Sequence, residues 1–153
     1  MLKLSLALIL TSWISMAYSA DGHVMVSPTD VQFAPGPETL PAGAQISVIA
    51  GDPKAKGPFT MRLKFPANYQ VPPHWHSKDE NITVIEGEFL MGMGDVLSES
   101  KAFVLPTGGY GKMPAKVRHF AIAGKRGAVV QVHGEGPFDI FYVNVKDDPR
   151  KKK

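Results

Sequence analysis

The chain has no cysteine. That absence excludes disulfide staples, thiolate metal ligands, cysteine nucleophiles and a lipid anchor on cysteine. No sustained 3.6-residue apolar period occurs beyond residue 20, which excludes a framework of long amphipathic helices. Nor is there a basic patch interleaved with aromatic residues, so nucleic acid is not an expected partner. No repeat, low-complexity tract or shift in composition marks a second domain. The longest apolar run, Leu4–Leu10, is too short for a good membrane span, and Ser12 and Ser15 interrupt its continuation.

That run has another reading. Lys3 gives a short positive start, and Ala17-Tyr18-Ser19 places small residues at −3 and −1 of a cleavage point. Residues 1–20 are therefore expected to be a secretory signal, with the protein periplasmic or secreted and not stably inserted in a membrane. About 133 residues would remain, enough for one domain with a substantial core. The formal charge of +3 and the pI near 9.1 owe much to Arg150-Lys151-Lys152-Lys153. Residues 147–153 read as a solvated basic tail.

What is present is a series of short β-rich runs cut by glycine and proline. Expected strands are Gln45–Ala50, Phe59–Phe65, Asn81–Glu86, Glu88–Met93, Ala102–Leu105, Arg118–Ala123, Ala128–His133 and Phe138–Val145. Within Phe59–Phe65, apolar Phe59, Met61, Leu63 and Phe65 alternate with polar Thr60, Arg62 and Lys64, so one face is dry. Ile85–Phe89 reads as a tight hairpin with Gly87 at its turn. Gly94–Lys101 is expected to be a turn or one helical turn, and residues 21–42 an arm wrapping the body. The fold class is all-β, a sandwich or barrel.

Chemistry concentrates in His74-Trp75-His76-Ser77-Lys78-Asp79-Glu80. Histidines at i and i+2 share one face of a strand, and a bend after them can swing Glu80 onto the same face. Pro72-Pro73 keeps the approach extended. Neutral imidazoles and a carboxylate suit a divalent first-row metal. His119 is a further donor of the right kind in a separate strand-like run.

This pattern resembles the cupin family. The first cupin motif, G-x5-H-x-H-x3-E-x6-G, is matched by His74, His76, Glu80 and Gly87, with Asn68 in place of the leading glycine. The second, G-x5-P-x-G-x2-H-x3-N, is matched by Gly108, Pro114 and His119, with Lys116 and Ala123 replacing its second glycine and its asparagine. The resemblance spans residues 57 to 145. It implies a single-domain double-stranded β-helix, or jelly-roll barrel, over 57–146, preceded by an arm and first strand over 21–56. It also implies one divalent metal held by His74, His76, Glu80 and His119.

Three nitrogens and one carboxylate leave one or two coordination positions open, as in a catalytic site. Fe, Mn, Zn, Cu, Ni and Co all suit the ligand set. The affinity order points to zinc or copper as occupant, and the resemblance to iron or manganese for activity.

His133 and Tyr142 are the candidate proton-transfer residues. Met91 and Met93 share a face and read as barrel core rather than as copper ligands. Trp75 should pack away from the metal, while Asp79 and His23 should face solvent. Lys116 and Arg118 flank His119, as a solvated loop or as attraction for an anion. Two functions are open: an enzyme acting on a small oxygen-rich molecule (dioxygenase, isomerase, lyase or decarboxylase), or a non-catalytic metal- or small-ligand-binding module. The expected partner is a small molecule, and a homodimer is among the assemblies such a barrel allows.

Overall fold

The structure is a computed structural model and describes residues 22–151; the expected signal segment lies outside them. Among the described residues nine strands succeed one another: β1 (Ala34–Pro35), β2 (Gln45–Ala50), β3 (Gly57–Phe65), β4 (Gln70–Trp75), β5 (Glu80–Met93), β6 (Phe103–Pro106), β7 (Tyr110–Met113), β8 (His119–Gly136) and β9 (Phe141–Tyr142). Short 3-10 turns at Pro28–Asp30, Glu99–Lys101, Val145–Asp147 and Pro149–Lys151 complete the elements. No helix among the described residues is long and apolar enough to cross a membrane.

The long strands β5 and β8 run antiparallel and are shared by two sheets. In one sheet the order is β1-β2-β3-β8-β5-β7, in the other β9-β4-β8-β5-β6. The register runs from Asn81↔His133 to Val84↔Val130, shifts, and resumes from Phe89↔Ala123 to Met93↔His119. Two strands that each serve both sheets fold the pair into the jelly-roll barrel expected of cupins.

At that shift the structure corrects the expected hairpin. Gly87 is not the turn of a hairpin, because β5 continues through it. Its φ of 77° bends the strand, and Gly127 at 79° bends β8 next to Ala128, the register partner of Gly87. A Cβ on Gly87 would lie 2.3 Å from the Gly127 carbonyl oxygen, so only glycine lets the backbones approach.

Inside, the dry face of β3 is as expected: Phe59, Met61, Leu63 and Phe65 are all buried, together with Ile82, Val84, Phe89, Val130 and Val132. A smaller cluster of Leu90, Phe120 and Ile122 lies on the opposite face of the second sheet, packed by Leu97 and Ala102. This explains why His119–Ala123 is buried without alternation. Met91 is core, but Met93 is 58% exposed, because it stands at the end of β5, beyond the interior.

The family glycines missing from both motifs also find their explanation. Asn68 (φ 57°) and Lys116 (φ 66°) are the non-glycine residues with positive φ among those described. The backbone keeps the left-handed shape that the motifs encode with glycine. Asparagine tolerates it well, and lysine does so at some strain.

Candidate metal centre

His74 lies in β4, His76 just past its end, Glu80 opens β5 and His119 opens β8. All four ligand candidates therefore sit at strand ends on one side of the barrel. Register places His74 opposite His119, and the bend Ser77–Asp79 returns the chain to Glu80. All four side chains are buried. The imidazole rings converge, with centroids 4.3 Å apart for His74–His119, 5.0 Å for His74–His76 and 5.3 Å for His76–His119. One ring nitrogen from each lies within 4.8 Å of the others.

Hydrogen bonding fixes which nitrogen faces inward. His74 Nδ1 donates to the Pro72 carbonyl (2.7 Å), His119 Nδ1 to that of Val117 (2.9 Å), and His76 Nδ1 to that of Asp139. A carbonyl can only accept, so each Nδ1 carries its hydrogen and each Nε2 is left for another partner. Among the described residues, Nε2 of His76 and of His119 find none, although both are fully buried. Glu80 Oε2 lies 3.3 Å from His119 Nε2 and 3.6 Å from His76 Nε2. Neither approach is a hydrogen bond in that tautomer, because a bare Nε2 and a carboxylate oxygen can both only accept.

Buried orphan atoms of this kind need a partner. Three Nε2 atoms beside a carboxylate are the donor set of a divalent cation, so the residues fit the metal that cupins commonly hold.

Charge in the metal-free cluster is uneven. Burial, then the neighbouring His119 and His76, push His74 down to about 3, so its imidazole is neutral. For His76, burial acts downward, but the Glu80 carboxylate outweighs it and the net shift is upward. Burial alone would raise Glu80; His76 and His119 overcome it and hold the group well below the usual carboxylate range.

A cavity of about 280 Å³ opens from His74, His76 and Glu80. Its walls are apolar, with Met61, Leu63, Phe65, Ile82, Phe89 and Val130 below. Pro37, Thr39 and Leu40 of the N-terminal arm close its side, and Lys54 stands at its margin. The arm is pinned by two tyrosines: Tyr69 donates its hydroxyl to the Pro41 carbonyl, and Tyr142 donates to that of Thr39 at 2.8 Å.

The candidate proton carriers are not brought to the cavity as expected. His133 alternates with inward-facing Val132 and lies in an outer groove with Thr60, Asn81 and Asp79. Tyr142 does pack near His74, with ring centroids 6.1 Å apart, but its hydroxyl is committed to the arm. Burial raises that hydroxyl above its usual range.

Trp75 turns away from the cluster and stacks on Phe141 at 4.3 Å. Asp79 is exposed, as is His23; Asp79 pairs with Lys112 at 2.8 Å and accepts from the Ala115 amide. Arg118 is neutralised by Asp95 at 2.6 Å, while Lys116 is exposed and gives its amide to the His76 carbonyl.

The C-terminal run departs from a free tail. Arg150 forks onto the buried Asp148 and donates to the Ile140 carbonyl. Sequence reading also missed Phe138 and Asp139, which hold His76. No short motif marks either one; their role appears only when β9 pairs with β4.

The fold is shared with solved structures of low sequence identity. The polyketide cyclase RemF from Streptomyces resistomycificus is 20% identical, with a TM-score of 0.67 over 82% of this chain and 88% of that one. A putative acetylacetone dioxygenase from Methylibium petroleiphilum is 19% identical, with a TM-score of 0.61 over 88% and 90%. An RmlC-like cupin from Shewanella frigidimarina is 18% identical, with a TM-score of 0.55 over 78% and 94%. No curated protein matches the chain in sequence. The family model of the ChrR cupin-like domain matches residues 21–139, and the chain belongs to that family of cupins.

Proposed function

We propose that this cupin is a metal-dependent enzyme acting on a small, largely apolar molecule that presents oxygen atoms to the metal. One observation carries the reading: the buried, unpartnered Nε2 atoms of His76 and His119 beside Glu80, at the end of an apolar cavity. His74, His76, Glu80 and His119 would hold one divalent ion. Bound there, it supplies Lewis-acid polarisation of a substrate oxygen or, if iron or copper, activation of dioxygen.

The chain supplies the rest. The carbonyls of Pro72, Val117 and Asp139 hold the Nδ1 protons, so the three Nε2 lone pairs point one way. Glu80 stays anionic and balances cationic charge at a buried position. Met61, Leu63 and Phe65 bind the apolar body of the ligand and keep water out. The structural neighbours named as a polyketide cyclase and a putative acetylacetone dioxygenase support a small organic substrate.

A second reading, a non-catalytic metal- or small-ligand-binding module, is favoured by a separate observation. Tyr142 gives its hydroxyl to the arm, and the Asp139 carboxylate is taken up by Ser77. Few free proton carriers then remain at the cavity.

Protein purified from its own compartment decides between the two. Its metal is measured, and oxygen uptake and substrate loss are monitored on a panel of small acids and β-diketones. Turnover abolished by chelation and restored by one metal per chain supports the enzyme. Metal without turnover supports the binding module, and an absence of metal sinks the enzyme and the metal-binding form of the module, leaving only a small-ligand binder. The same sample tests the export we propose. Its N-terminus should be Ala20 or Asp21, and an intact Met1–Ala20 segment in the soluble cytoplasm would refute it.

A further inference from the structure

Phe138 to Tyr142 form a strip along the histidine cluster. Phe138 stacks on the His76 ring, with centroids 4.5 Å apart and planes at 17°. The Asp139 carbonyl accepts from His76 Nδ1. Ile140 lines the cavity, Phe141 stacks on Trp75, and Tyr142 stands in register with His74. His76 has need of such support. It lies past the end of β4, where its backbone is held by the Lys116 amide and not by a strand ladder, yet its ring must meet the metal within tenths of an ångström.

Asp139 closes a small ring around it. The Ser77 amide and hydroxyl both donate to the Asp139 carboxylate, the amide at 2.7 Å, while His76 donates to the carbonyl of the same aspartate. Two consecutive residues, His76 and Ser77, are thus clasped by one residue 62 positions beyond Ser77 in the chain, by backbone and side chain together. From outside, Arg150 steadies the strip by donating to the Ile140 carbonyl at 3.2 Å while forked on Asp148.

We infer that Asp139 is a positioning residue for the metal: its Ser77-bound carboxylate sets the carbonyl that orients His76. The inference rests on the metal reading above. It adds a role that the metal ligands do not contain, and its anchor at Arg150 lies beyond the stretch matched by the family model.

The test uses cobalt(II), whose visible absorption reports ligand geometry, together with its release rate into a chelator. Asp139→Ala keeps the carbonyl but frees it from Ser77, and is expected to shift the absorption and to release cobalt faster, by up to about the 10–100-fold that disturbing a ligand's outer partner costs. Asp139→Asn keeps an acceptor for the Ser77 amide and should restore the wild-type spectrum and most of the retention. Ser77→Ala removes only the hydroxyl and should fall between.

A purely structural role for Asp139 would lower the melting temperature of the metal-free protein and leave the cobalt spectrum unmoved, and that result overturns the inference. Should Asp139→Ala fail to fold, a wild-type spectrum and release rate in Ser77→Ala would overturn it instead. Wild-type protein that takes up no cobalt refutes the metal reading itself, a different outcome from a variant that behaves as wild type.

Discussion

His74, His76 and His119 each commit one ring nitrogen to a backbone carbonyl, which makes the other nitrogen of each a ligand without further adjustment. The four residues are not equivalent in how the fold holds them. His119 comes from β8 and is 1% exposed, whereas His74 and His76 come together from the end of β4. His119→Ala should therefore remove a ligand without disturbing the pair, and metal affinity should fall by at least the 10–100-fold typical of outer-partner losses. His133→Ala, in the outer groove, should keep the metal. Calorimetric titration of both variants checks this, and full stoichiometry and affinity in His119→Ala would remove it from the ligand set. The ligand candidates are legible in the sequence because three of them sit in one short motif. Asp139 is not, since nothing near it in sequence shows that it faces His76.

At the scale of elements, alternation in β3 exposes its dry face at once, because a strand with one buried side has a period of two. Gly87 is harder. A tight turn and a strand bend both require positive φ, so the residue signals the backbone shape and not whether the chain reverses. What decides is β8, whose Gly127 bends at the same level, and that is long-range information. Gly87→Ala would force a Cβ to 2.3 Å from the Gly127 carbonyl and place alanine at a φ of 77°. The expected loss is about 2–4 kcal/mol in denaturant melts, near the upper end for point substitutions. A loss below about 0.5 kcal/mol, the level of an ordinary surface change, would mean that the two bends are not coupled.

Over the whole molecule, the question is whether the barrel needs its metal to fold. The buried aliphatic and aromatic interior is that of a stable domain of this size, so the metal-free protein should be folded and the metal should add to its stability. The acid dependence comes from two histidines shifted in opposite senses. His76 is raised above 6.5, so between 6.5 and that raised value the folded form binds the extra proton, and stability grows as pH falls. His74 is lowered to about 3, so below 6.5 the unfolded chain binds the extra proton, and stability declines as pH falls. Glu80, depressed below 4.5, steepens that decline at lower pH. The cluster's contribution to metal-free stability should thus peak near pH 6.5 and fall on the acid side by up to about 1.4 kcal/mol per pH unit for each excess proton. Metal changes the alkaline side, because coordination requires His76 to lose its proton. The metal-induced rise in melting temperature should grow steadily from pH 5 to 8, reaching about 2.7 kcal/mol of added stability at a hundredfold excess of metal over Kd. Thermal melts of chelated and reloaded protein across that range measure both curves. A metal-free form already unfolded at neutral pH would make the metal structural and favour the binding module, whereas a metal effect independent of pH would show that His76 carries no proton for the ion to displace.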